Sequence, residues 1–282
     1  VDGLRYLAND LSESAVAADS PAANFTASPQ TENYHQINFT DQSSGDIKKW
    51  KWDFGDGSLP FIFSYEQKPE GTLVNTSIHL STTVPNISGN IIVSRTNEIF
   101  LGQDLNHNNL IRDPIILYYD ISSNTLVNTM GTASNGAPAI SGDTIAFVTS
   151  ENDAMADLNG NSTSFDSIIM FYDTKTGRLV STGAESPYQL NPSVSGNIIA
   201  FATSEGCINR ALDGDGVINH TVVRYFDKAS GQVYNTRGIT LNTAAPFVSG
   251  NIIAFPTGEQ DYGGDLNGDG YISTIVLRYF DI

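Results

Sequence analysis

The sequence predicts an all-β chain built on four-stranded repeats of about 54 residues, the pattern of a β-propeller, and three observations predict it. First, Ser88, Ser141, Ser195 and Ser249, each followed by glycine, recur at intervals of 53, 54 and 54 residues. Second, Pro85, Pro138, Pro192 and Pro246 lie three residues before those serines, and Glu98, Glu151, Glu205 and Glu259 lie ten after them. Third, each unit closes on an aromatic followed by Asp, at Tyr119-Asp120, Tyr172-Asp173, Phe226-Asp227 and Phe280-Asp281. A β-sandwich would not repeat proline, Ser-Gly and glutamate in register.

Within a unit the elements follow in a fixed order. A Pro-x-aliphatic-Ser-Gly edge comes first, then an aliphatic run such as Asn197-Ile-Ile-Ala-Phe201. An acidic loop leads to a third run such as Thr221-Val-Val-Arg-Tyr-Phe226, and a turn to a last strand such as Gln232-Val-Tyr-Asn-Thr236. β-Branched and aromatic runs separated by Gly, Asn and Ser turns are the hairpin signal. Four units span 85–130, 138–183, 192–236 and 246–282, within a propeller region of 85–282. The Ser-Gly-Asn-Ile-Ile-Ala-Phe and Tyr-Phe-Asp elements resemble TolB-like propeller repeats of archaeal and bacterial cell-surface proteins.

The N-terminal third reads differently. Pro21-Ala-Ala-Asn-Phe-Thr-Ala-Ser-Pro29, Ile37-Asn-Phe-Thr-Asp41 and Trp50-Lys-Trp-Asp-Phe-Gly-Asp-Gly57 resemble the polycystic-kidney-disease (PKD) domain, which implies an immunoglobulin-like extracellular sandwich over 21–84. Its end falls into blade register, since Thr72-Leu-Val-Asn-Thr76 is identical to Thr125-Leu-Val-Asn-Thr129, 53 residues later, and supports a fifth unit. Residues 1–20 form a strand segment whose Leu4-Arg-Tyr-Leu echoes Leu277-Arg-Tyr-Phe280. Two roles stand open for it: completing the last blade, or donation to a neighbouring molecule, which would drive self-association.

Composition sets the surroundings. The chain has 282 residues, 40% hydrophobic content and a net charge of −17, which opposes binding to nucleic acid or anionic lipid. A single cysteine, Cys207, excludes an intramolecular disulfide framework. The absence of a run of 18 apolar residues argues against membrane insertion. Val1 follows no initiator Met or leader, and six Asn-x-Ser/Thr sequons occur, at Asn24, Asn38, Asn75, Asn86, Asn161 and Asn219. The expectation is an excised extracellular or cell-surface glycoprotein region.

The acidic loops carry the candidate chemistry. Alternating side-chain oxygens, a following backbone carbonyl and glycine at the turn suit Ca²⁺. The fourth loop offers Asp265, Asn267, Asp269 and the Tyr271 carbonyl, with Glu259 and Asp261 at the end of the preceding strand. The second offers Asp157, Asn159, Asn161, the Thr163 carbonyl and Asp166, with Glu151 and Asp153. The first has Asp104, Asn106, Asn108, the Leu110 carbonyl and Asp113, with Glu98. The third keeps Asp213, Asp215, the Val217 carbonyl and Glu205, but Ala211 replaces the first ligand and Cys207 stands where Asp153 and Asp261 stand. Carboxylate count ranks the sites fourth, second, first, third. Zn²⁺ lacks its preferred ligands, and solvated Asp-Asn-Gly turns are the plain alternative.

Function follows in three classes. The first is a non-catalytic, calcium-stabilised surface scaffold such as a surface layer, sheath or filament. The second is a carbohydrate-binding or adhesion module with a polysaccharide partner. The third is a propeller lyase or glycosidase, for which the sequence offers no converging base or nucleophile motif.

Overall fold

The computed structural model describes residues 5–8, 24–30, 33–44, 49–53, 61–64, 73–76, 78, 85–134, 136–187 and 190–282. The chain divides into two compact units, Val1–Asn75 and Thr76–Ile282. In the first, strand β1 (Arg5–Ala8) pairs with a later strand, and β2 (Phe25–Gln30) forms an antiparallel hairpin with β3 (Asn33–Asp41). The partner of β1 is β4 (Lys49–Asp53), which carries the two tryptophans and pairs in turn with β5 (Phe61–Ser64). Over Arg5–Ala8, then, the segment weighed above for the last blade is an antiparallel partner of β4, with Arg5 opposite Asp53 and Ala8 opposite Trp50. Residues 9–20 and the Phe54–Gly57 end of the PKD-like signature lie outside the described residues.

The second unit is a row of antiparallel meanders in sequence order. The first holds β6 (Asn86–Ser88), β7 (Ile91–Asn97), β8 (Pro114–Asp120) and β9 (Thr125–Thr132), with a single helical turn, α1 (Glu98–Leu101), before β8. The second holds β10 (Ala139–Ser141), β11 (Thr144–Ser150), β12 (Ser167–Asp173) and β13 (Arg178–Glu185), with α2 (Glu151–Ala154). The third holds β14 (Ser193–Ser195), β15 (Ile198–Ser204), β16 (Thr221–Asp227) and β17 (Gln232–Thr240), with α3 (Glu205–Ile208). The fourth holds β18 (Phe247–Ser249), β19 (Ile252–Gly258) and β20 (Ile275–Asp281), with α4 (Glu259–Tyr262), and among the described residues it has three strands.

The hairpin between the first two strands of each sheet explains the Ser-Gly repeat. Gly89, Gly142, Gly196 and Gly250 sit at φ +54, +53, +56 and +57, a left-handed conformation that a side chain resists. The serines before them face the next sheet. Gly142 donates its amide to Ser88 Oγ at 3.0 Å, Gly196 to Ser141 Oγ at 3.4 Å and Gly250 to Ser195 Oγ at 2.9 Å.

Both faces of the interior sheets are apolar because each meets a neighbour. Ala146, Val148, Ile169 and Phe171 of the second sheet pack against Ile199, Phe201 and Phe226 of the third. Ala200, Val223 and Tyr225 of the third pack against Ile253, Phe255 and Phe280 of the fourth. Val93, Ile116 and Tyr118 of the first meet Ile145, Phe147, Met170 and Tyr172 in the same way. Lys228 of the third sheet adds a polar clasp, donating to Asp173 at 3.0 Å with its Nζ 5.4 Å from the Phe171 ring centroid. Four-stranded meanders stacked face to face, with their shortest strands side by side, are propeller blades.

Candidate metal centres in the acidic loops

Every blade ends its second strand on the repeated glutamate, and the helical turn that follows hides it. Glu98, Glu151, Glu205 and Glu259 are fully buried. Each works first on the loop backbone. Glu151 Oε1 accepts the amides of Leu158 at 2.6 Å and Asn159 at 3.3 Å, and Glu259 Oε1 those of Leu266 at 2.6 Å and Asn267 at 3.2 Å. Glu98 holds Leu105 and Asn106 alike, and Glu205 holds Leu212 and Asp213. The glutamate amide donates to the far end of the loop, at the carbonyls of Asp113, Asp166, His220 and Thr274. Loop start and loop end are thereby tied to one buried glutamate, the start through its carboxylate and the end through its amide.

Along the loop, side-chain oxygens cap successive amides. Asp265 accepts from Gly268 at 2.7 Å and Gly270 at 2.8 Å, Asn267 from Asp269 at 2.9 Å and Asp269 from Tyr271 at 2.8 Å. Asp157 accepts from Gly160 and Ser162, Asn159 from Asn161, and Asn161 from Thr163. In the first loop Asp104 accepts from Asn108 and Asn109, and Asn108 from Leu110. Amides donated by Ser162 and Gly270 hold Asp157 and Asp265 below the ordinary Asp pKa.

These turns bring carboxylates together. One oxygen each of Glu259, Asp265 and Asp269 lies within 4.8 Å of the others. In the second loop Asp166 takes hydrogen bonds from Thr163 at 2.6 Å and Asn161 at 2.7 Å, which keep its pKa low. Glu185, at the end of β13, faces Asp166 and Glu151; burial first, then those two charges, pushes it up. In the first loop burial raises Glu98, with Asp113 and Asp104 adding to the rise. Glu98 Oε2 is buried without a hydrogen-bond partner.

The third loop brings in a histidine outside its expected ligand set. Ligand atoms of Glu205, Asp213 and His220 also lie within 4.8 Å of one another. His220 Nδ1 is 2.7 Å from Asp213 and 3.5 Å from Asp215. Burial works to raise Asp213, but bonds from the Asp215 amide and His220 outweigh it and lower the pKa. His220 stands fifteen residues after its glutamate, where Asp113, Asp166 and Thr274 stand in the other repeats. That offset was the signal available for His220 and Thr274; Glu185 had none.

Asp153 and Asp261 also have neighbours outside the acidic loops. Asp153, assigned to the second loop, accepts Asn108 on its backbone carbonyl at 3.0 Å, and its pKa is raised by burial and by Asp113 of the preceding blade. Asp261 turns back on the start of its helical turn, so close that a β-carbon on Gly258 would lie 2.9 Å from its Oδ2. Val217 and Tyr271 occupy their expected loop positions, with amides held by Asp215 and Asp269. A separate concavity of about 270 Å³ lies along the innermost strands, lined by Asn86, Pro138, Asn191, Val194 and Phe247 among others, none of them titratable.

Comparison with known proteins adds little beyond the fold. No protein-family model matches the chain, and no curated protein matches it. Among solved structures it is similar to the β-propeller domain of the Trilobed protease from Pyrococcus furiosus, described as having an open velcro topology, with a TM-score of 0.44 and 13% identity over 71% of this chain and 54% of that one. It is also similar to TolB from Acinetobacter baumannii, with a TM-score of 0.39 and 16% identity over 83% of this chain and 48% of that one. The chain thus spans about half the length of these two. Likeness this low carries nothing about activity; the sheets themselves carry the fold.

Proposed function

We propose that this chain is a calcium-stabilised structural module of an extracellular or cell-surface protein, without catalytic activity of its own. One observation carries the reading: each blade buries a glutamate beside further acidic groups, and in the first blade one oxygen of that glutamate has no protein partner. Buried like charges are costly unless something neutralises them. A divalent cation does so, and the all-oxygen donor sets of the first, second and fourth loops are those of a hard ion such as Ca²⁺.

Glu259, Asp265 and Asp269 would hold the ion in the fourth loop, and Glu98, Asp104 and Asp113 in the first. Bound there, it would neutralise the loop and tie its ends to the strand behind. The loops sit between the second and third strands of each blade and none of their residues lines the uncharged inner concavity, which supports a clamp over a catalytic centre. The acidic net charge of −17 is consistent with a cation-rich exterior. No helix among the described residues is long and apolar enough to cross a membrane.

The test is thermal unfolding with calcium and with excess chelator. A ligand that binds only the folded state stabilises by about 2.7 kcal/mol per site at a hundredfold excess over Kd. For a unit of this size that predicts a rise in Tm of roughly 5 °C or more. Identical melting curves in calcium and chelator would remove the proposal.

A further inference from the structure

We propose that the cleft between the first and second blades, at the strand ends opposite the acidic loops, binds a small molecule through a primary ammonium group. The next junction supplies the template. Between the second and third blades, Lys228 directly follows β16, and its Nζ donates to Thr144 Oγ1 at 2.5 Å and to Asp173 Oδ2 at 3.0 Å. The same Nζ lies 5.4 Å from the Phe171 ring centroid. Asp173 keeps Oδ2 for it by turning Oδ1 to Thr176, which donates its amide at 2.9 Å and its hydroxyl at 3.0 Å. One carboxylate oxygen, one hydroxyl and one aromatic face thus hold an ammonium in this chain.

Sheet register carries each of these positions one blade back. Thr144 pairs with Asp173 across β11 and β12, and Ile91 with Asp120 across β7 and β8. Phe171 lies two residues before Asp173, as Tyr118 does before Asp120. Thr174 follows β12 as Lys228 follows β16, and their amides donate to the matching carbonyls of Asp143 and Asn197. Between the first and second blades the carboxylate and the ring are therefore kept, while Ile91 replaces the hydroxyl and Thr174 replaces the lysine.

A short side chain in place of a long one leaves room. A cleft of about 410 Å³ opens at this junction, and Ile91, Tyr118, Asp120 and Thr174 all line it. Asp120 is prepared as Asp173 is: its Oδ1 accepts the Ser122 amide at 2.9 Å and the Ser122 hydroxyl at 2.5 Å. Those bonds, the hydroxyl first, hold its pKa below the ordinary Asp value, so the carboxylate is charged at neutral pH. Among the described residues no lysine, arginine or histidine forms an ion pair with it.

The lining also narrows the ligand. A hard metal ion takes about six or more oxygens, whereas the Tyr118 ring and Ile91 beside Asp120 suit the methylene end of an alkylammonium. Lys175, exposed, lines the same cleft and offers a cation for an anionic group at the ligand's other end. The class that meets both is an aliphatic amino acid, held in a concave site with a few placed polar groups. The inference does not depend on any cation in the acidic loops.

The experiment is calorimetric titration of the full chain with 6-aminohexanoate, hexylamine and hexanoate. The first should bind at one site, hexylamine more weakly and hexanoate not at all. Hexanoate binding as well as 6-aminohexanoate would overturn the proposal without any variant, and hexylamine binding equally well would overturn the part given to Lys175. Asp120→Asn, which keeps an oxygen for Ser122, should weaken 6-aminohexanoate by about tenfold or more. Thr174→Lys should supply the ammonium from within, as Lys228 does, abolishing binding while raising Tm. Either variant binding like the unsubstituted chain would overturn the site. Nα-acetyl-lysine amide tests a polypeptide source, and tighter binding of it than of 6-aminohexanoate would overturn the small molecule as occupant.

Discussion

Glu98 shows how one side chain serves both backbone and ion. Its Oε1 takes two loop amides while its Oε2 is left beside Asp104 and Asp113. Glu98→Gln keeps an acceptor for the amides and replaces the repelling oxygen with a donor. In chelator at neutral pH the variant should be the more stable by about 1–2 kcal/mol, since an unmade buried bond becomes a made one. In calcium the order should reverse, and the midpoints of thermal unfolding check both. The pH dependence has a defined sign. Because Glu98 is raised in the folded state, the wild type in chelator keeps its full contribution below the unfolded value near 4.5 and loses it as pH rises through the folded value. The gap between wild type and variant should therefore close as chelated samples are taken toward pH 4.5; a constant gap would refute this account of Glu98.

Among the elements, the fourth strand most constrains its neighbours. A β-carbon on Gly238 would lie 2.5 Å from Phe255 Cζ of the next blade, and Gly131 meets Phe147 in the same way. Gly238→Ala should lower unfolding stability by about 1–3 kcal/mol, as overpacking does. Gly206→Ala, whose nearest contact would be 3.7 Å, should be neutral or mildly stabilising in the same urea titration. The strand order and the one-sided position of the acidic loops were legible because Pro, Ser-Gly and Glu recur at one period. Thr129, Thr182 and Thr236 recur as well, but their meaning was not legible: the carbonyls they reach are visible only once strands are paired. Asp153 has a contact that sequence proximity does not reveal, since folding also sets its backbone carbonyl against Asn108 of the preceding blade.

At the scale of the whole molecule, a common repeat hides unequal copies. The third loop lacks an oxygen at Ala211, and His220 stands at its end, 2.7 Å from Asp213. Nothing in the linear pattern marks that histidine until distance is measured from Glu205 rather than from its neighbours. One repeated set of contacts between blades runs one way. Each blade's serine accepts an amide from the glycine of the blade that follows, at Ser88, Ser141 and Ser195. This set of bonds gives the array a grammatical direction, in which each serine is matched by the glycine of the succeeding blade. Removing the Ser141 hydroxyl would therefore leave the Gly196 amide of the third blade without its acceptor while the bond from Gly142 to Ser88 stayed whole.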